Sequence, residues 1–133
     1  MKHLKSLIAL VALFVLASAC GETKEGVEFG NLKDGDTVSS PFKVEFLVFG
    51  KTIEPAGVEK EGTGHHHVIV NGGSIQAGEV VPANDTHIHF GKGQTETEME
   101  LEPGKHTLTL QFADFAHRSF GSKWSKTITV TVE

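Results

Sequence analysis

The 133-residue sequence holds one cysteine, Cys20, no tyrosine, one tryptophan and two methionines. A single cysteine excludes an intramolecular disulfide and leaves no thiolate set for a zinc finger, an iron–sulfur cluster or a blue-copper centre. Met1 and Met99 are too few for a methionine-rich copper(I) site. Any metal must therefore be held by histidine or carboxylate. Basic residues are also scarce: twelve face seventeen acidic ones, for a formal net charge of −5. That balance argues against a nucleic-acid partner. The only long apolar run lies between Leu7 and Ala17, shorter than the roughly 20 residues a membrane helix needs. No segment carries apolar residues at helical spacing over three turns.

What is present begins with "MKHLKSLIALVALFVLASA", a basic start, an apolar stretch and a small-residue end. Residues 1–19 read as a secretory signal peptide. The end of this stretch, "LASAC", resembles the lipobox of bacterial lipoproteins, with Ala17 where that pattern usually has Leu. The resemblance implies lipidation at Cys20 and a membrane partner through that N-terminal lipid. Gly21, where an Asp would signal retention, implies the outer membrane, facing the periplasm or the surface. "ASA" is also an ordinary A-x-A cleavage site, and the alternative is a secreted protein with a free N-terminal thiol. Without the signal, ten basic residues face seventeen acidic ones, a net charge near −7. Residues 20–26 are expected to be the lipidated N-terminus and its tether, and residues 27–133 one domain.

Within that domain the apolar pattern has period two. In "PFKVEFLVFG", Phe42, Val44, Phe46 and Val48 alternate with Lys43, Glu45, Leu47 and Phe49, which predicts a strand. "KTIEPAGVEKEGTG" has no sustained period and reads as a long loop folding over a sheet. "HHHVIV" runs into the turn "NGG", "THIHF" is a second short strand, and "TETEMELEPGKHTLTLQFAD" alternates on both sides of Pro103-Gly104. That last segment predicts a hairpin, and "KTITVTVE" a closing strand. About seven short strands argue an all-β antiparallel sandwich. Their order, opened by "DGDTVSSPFKVEF" and closed by "LEPGKHTLTLQFAD" and "TITVTV", resembles bacterial immunoglobulin-like domains. The expected fold is thus an immunoglobulin-like antiparallel β-sandwich.

Five of the eight histidines lie in "GTGHHHVIVNGG" and "DTHIHFGKGQT". Residues two apart in a strand share a face, so His65 pairs with His67 and His87 with His89. If Val68, Val70, Ile88 and Phe90 face the core, all four rings emerge on the opposite side. On neighbouring strands three or four of them could converge on one ion. Imidazole without thiolate suits zinc, copper or nickel, and affinity order favours copper; the expected cofactor is a copper or zinc ion. Asp85, Asp114, His66 and His117 are candidates for an extra ligand or for the acceptor that fixes a ring tautomer. His66 and His106 are also in phase with apolar neighbours, where a hydrogen-bonded packing role is the plainer reading. The competing account of the paired histidines is a buried polar network bonded to backbone carbonyls.

Enzyme signals are weak. "FGKGQT" lacks the spacing of a phosphate loop, and no G-x-S-x-G context surrounds any serine. The expected role is non-enzymatic, either binding and delivery of a metal ion or interaction with an envelope protein partner.

With "GTGHHHVIVNGG", "DTHIHFGKGQTETEMELEPGKHTLTLQFAD" and "AHRSFG" taken together, the chain resembles a bacterial family known as domain of unknown function 4399. The resemblance implies an exported small β domain with a histidine-rich centre and brings no established reaction. "VIVN" stands here where the family pattern ends "LLID", which questions Asn71 as a replacement for an acidic ligand.

Overall fold

The computed structural model describes residues 21–133. The expected signal segment and Cys20 lie outside the described residues. Nine strands and one 3₁₀ turn follow one another: β1 (Gly26–Phe29), β2 (Asp36–Val38), β3 (Phe42–Phe49), β4 (Thr52–Ile53), β5 (Thr63–Val70), β6 (His87–His89), β7 (Glu96–Met99), β8 (Gly104–Ala113), the 3₁₀ turn Ser122–Trp124 and β9 (Ser125–Val132). Among the described residues no helix is long and apolar enough to cross a membrane.

The all-β expectation holds. The strands form a three-stranded sheet ordered β1-β3-β7 and a six-stranded sheet ordered β2-β9-β8-β5-β4, with β6 also paired to β5. The extra strands beyond the expected seven are short edge pieces. Two of these run parallel to their partners, β2 beside β9 and β4 beside β5, so the sheets are not wholly antiparallel. Each is drawn into register by backbone bonds just outside it, Gly35 N–H to the Thr129 carbonyl and Glu54 N–H to the Gly64 carbonyl.

Alternation decides which side chains enter the core. Phe42, Val44 and Phe46 of β3, Val27 and Phe29 of β1 and Met99 of β7 meet Val68, Val70, Leu108, Leu110, Phe112, Ile128 and Val130 from the larger sheet. Burying each such side chain contributes roughly 1.5–3 kcal/mol before entropy is counted. The expected hairpin around Pro103-Gly104 is instead a crossing between sheets. Both edges of β8 are occupied, by β5 and β9, so β7 pairs with β3 in the other sheet. Met99 and Leu108 then face one another's layer from opposite sides of the core.

The outer face of the larger sheet is covered as well. Thr109 and Gln111 of β8 point away from the core between the two sheets yet are fully buried. The lid is not the expected loop 51–64 but the segment from Gly72 to Pro82 together with Asp114 to Gly121. Thr109 Oγ1 donates to the Gly72 carbonyl at 2.7 Å and Ile75 N–H to Gln111 Oε1 at 3.0 Å. Ser119 Oγ donates to the Ile75 carbonyl at 2.7 Å. The Gln111 amide also lies 3.2 Å from each of the Phe112, Gly121 and Trp124 carbonyls. Every residue of β5 is consequently buried, on both faces.

Candidate metal centre

β5 supplies the rigid half of the site. His65 and His67 project from its outer face, under the lid, and neither ring side is open to solvent. His117 comes from the turn after β8 and sits in the left-handed region at φ 62°, a conformation that costs a non-glycine residue on the order of 1–3 kcal/mol. Asp114 holds that turn. Its Oδ1 accepts from the Ala116 and Arg118 N–H groups, both at 2.9 Å, and its Oδ2 from Arg118 Nε at 2.9 Å. Val81 N–H, donating to the His117 carbonyl at 2.8 Å, ties the same turn to the lid.

The result is a convergence of three ring nitrogens. His117 Nδ1 lies 3.0 Å from His65 Nε2 and 3.3 Å from His67 Nε2, and the three ligand atoms all fall within 4.8 Å of one another. Tetrahedral bonds of about 2.0–2.1 Å would set ligand nitrogens about 3.3–3.4 Å apart. The two separations to His117 Nδ1 are close to that spacing, and the third is within 4.8 Å. A neutral ring nitrogen has one in-plane lone pair, so His117 Nδ1 can accept one good hydrogen bond and not two. Among the described residues His65 Nδ1 has no hydrogen-bond partner. A network of hydrogen bonds alone leaves these rings poorly satisfied.

Burial keeps the rings neutral, the form in which imidazole binds metal. Desolvation, with the neighbouring imidazoles adding to it, pushes the pKa of His65 down to about 4 and that of His67 to about 2. His117 is lowered too, again by desolvation first and then by His89. For Asp114, burial raises the pKa, but the Arg118 and Ala116 N–H groups and the guanidinium outweigh it and hold the carboxyl below its usual range. Its oxygens are thus charged and already occupied, which makes Asp114 a positioner of His117.

Residues 44–133, which include every histidine of this cluster, match the model of a family described as a domain of unknown function (DUF4399). The chain belongs to that family. No curated protein and no solved structure matches it. The family resemblance read from the histidine motifs is borne out, and in this DUF4399 domain those motifs meet at one place.

The positions of the other candidates differ. β6 is antiparallel to β5 with His89 opposite His67 and His87 opposite Ile69, so the two H-x-H pairs do lie on neighbouring strands. The His89 ring is 4.4 Å from that of His67 and 4.6 Å from that of His117, centroid to centroid. His87 stands apart from this group, its Nδ1 at 2.9 Å from Asn84 Oδ1 and 3.0 Å from Thr86 Oγ1. Asp85 is exposed, away from the rings, in a groove rimmed by Glu98 and Glu102. Asn71 is not near the centre either: its Oδ1 accepts from Thr107 N–H at 3.0 Å and its Nδ2 donates to His106 Nδ1 at 3.1 Å.

His66 faces the hydrophobic core between Phe46 and Phe112, at ring distances of 5.3 and 5.0 Å. It packs as expected but is not hydrogen-bonded, since neither ring nitrogen has a partner. Desolvation lowers its pKa to about 3. The Pro82 carbonyl, 2.7 Å from His89 Nε2, and the Gln111 side chain, which accepts from the Ile75 N–H of the lid, carry no signal in the sequence. The closest signal was "DFAHRSFG", where an Asp three residues before His is the pattern of a side-chain-capped turn.

Proposed function

We propose that this protein binds one transition-metal ion, copper or zinc, among His65, His67 and His117, and serves in metal binding or delivery at the cell envelope. The observation that carries the reading is the convergence of three neutral ring nitrogens within 4.8 Å, two of them belonging to rings with no exposed surface. Three converging ring nitrogens that cannot all be satisfied by one another are costly to bury unless something occupies their centre. Delivery is favoured over catalysis because Asp114, the carboxylate on the His117 turn, spends both oxygens on that turn. The lipid on Cys20 would hold the domain at the membrane, facing the periplasm or the surface. The scaffold would be an immunoglobulin-like sandwich, a reading supported by the strand orders β1-β3-β7 and β2-β9-β8-β5.

The test is metal content and titration of the untagged protein beside a His65→Ala, His67→Ala, His117→Ala variant. The expected result is about one ion bound per chain at submicromolar Kd, with binding lost in a variant that still folds. At a free ion concentration of 100 Kd, binding should raise stability by about 2.7 kcal/mol. Failure of the wild type to bind either ion better than micromolar would overturn the proposal.

A further inference from the structure

Building on the metal-binding reading, we infer that His89 is the fourth ligand, bound through Nδ1, so that four imidazoles close the coordination sphere and leave no position for water or substrate. Pairing within the sheet sets His89 directly opposite His67. Its ring already borders two of the three converging rings. The atom that would bind follows from hydrogen bonding. His89 Nε2 lies 2.7 Å from the Pro82 carbonyl oxygen. A carbonyl can only accept, so Nε2 carries the proton and the lone pair of the neutral ring is on Nδ1. This is the usual arrangement of a metal-bound histidine, one nitrogen on the ion and the other donating to a backbone carbonyl.

His87 provides the contrast on the same strand. Its Nδ1 is engaged by Asn84 and Thr86, which fasten β6 to the preceding turn. One member of this H-x-H pair anchors the strand and the other faces the ion. The filled position argues against hydrolysis, because catalytic sites keep an open position whereas structural ones are closed. His89 is half-buried while His65 and His67 are sealed in. His117 is half-buried too, so these two are the ligands that an incoming donor from an acceptor protein would displace before His65 or His67, one metal–nitrogen bond breaking as another forms.

The experiment uses the untagged protein loaded with Co(II), whose visible spectrum reports coordination number. The wild type should show an intense tetrahedral spectrum that added azide does not change. His89→Ala should bind Co(II) on the order of 10–100-fold more weakly, at least the loss seen for outer hydrogen-bond partners, and should respond to azide or free imidazole. Should His89→Ala misfold by circular dichroism, His89→Gln and the azide titration of the wild type decide. A wild-type spectrum that azide shifts, or a folded variant with unchanged spectrum and affinity, overturns the assignment of His89. A wild type that takes up no ion overturns the underlying reading as well.

Discussion

Replacing His66 by leucine should make this protein more stable, and increasingly so in acid. The ring has no exposed surface, both nitrogens lack partners, and Phe46 and Phe112 flank it. Burying such an unsatisfied polar group costs about 1–3 kcal/mol, which leucine, of similar volume, would recover. A second contribution depends on pH. The folded-state pKa is about 3, against 6.5 for the free side chain. Above pH 6.5 both states are neutral and nothing is gained or lost. Below it the unfolded chain binds a proton that the folded chain refuses, so stability falls with falling pH until about pH 3. At pH 5 the difference is about 1.5 units, or about 2 kcal/mol, for any folded value below 4. The gain from His66→Leu should therefore grow from about 2 kcal/mol at pH 7.5 to about 4 kcal/mol at pH 5. Urea unfolding at the two pH values, with a chelator present, measures it; His65 and His67 contribute equally to both proteins and cancel. A destabilised variant, or a gain that does not change with pH, would refute the reasoning.

Three further outcomes follow from the same geometry. Asp114→Ala removes three hydrogen bonds from the turn that holds His117 at φ 62°; urea unfolding should show a loss of roughly 1–3 kcal/mol, and zinc titration a weaker affinity. His87→Ala should weaken zinc affinity far less than His89→Ala, read by zinc titration, because His87 bonds Asn84 and Thr86 and not the ring cluster. Gln111→Leu strips a side-chain partner from the Ile75 N–H and from carbonyls of Phe112, Gly121 and Trp124. A loss of roughly 2–4 kcal/mol in urea unfolding is expected, together with faster proteolysis within residues 72–82 as the lid loosens.

Much of the fold was legible because alternation is a local signal. β3, β5, β8 and β9 appear in the sequence nearly as they fold, and the opposite facing of His66 and of the His65–His67 pair follows from period two alone. Partner choice was not legible. The segment around Pro103-Gly104 has every mark of a hairpin, and only the occupancy of both β8 edges sends β7 to the other sheet. The candidate site was half visible for a related reason. The H-x-H pairs announce two faces, but His117 reaches them through a left-handed turn held by Asp114, and that contact spans 52 residues of sequence. The separate behaviour of His87 depends on Asn84, a loop residue whose role is fixed only once the chain has turned.

The burial of β5 on both faces bears on how this sequence can change over time. In a strand such as β3, exposed positions like Lys43 and Leu47 interrupt the buried ones, so every second residue is free to drift. From Thr63 to Val70 there is no such interruption. Even the one glycine is fixed, since a Cβ at Gly64 would sit 2.1 Å from the Ala113 carbonyl oxygen. Constraints from the core and from the histidine face therefore fall on alternate letters of one eight-residue word, which leaves that stretch little room to diverge.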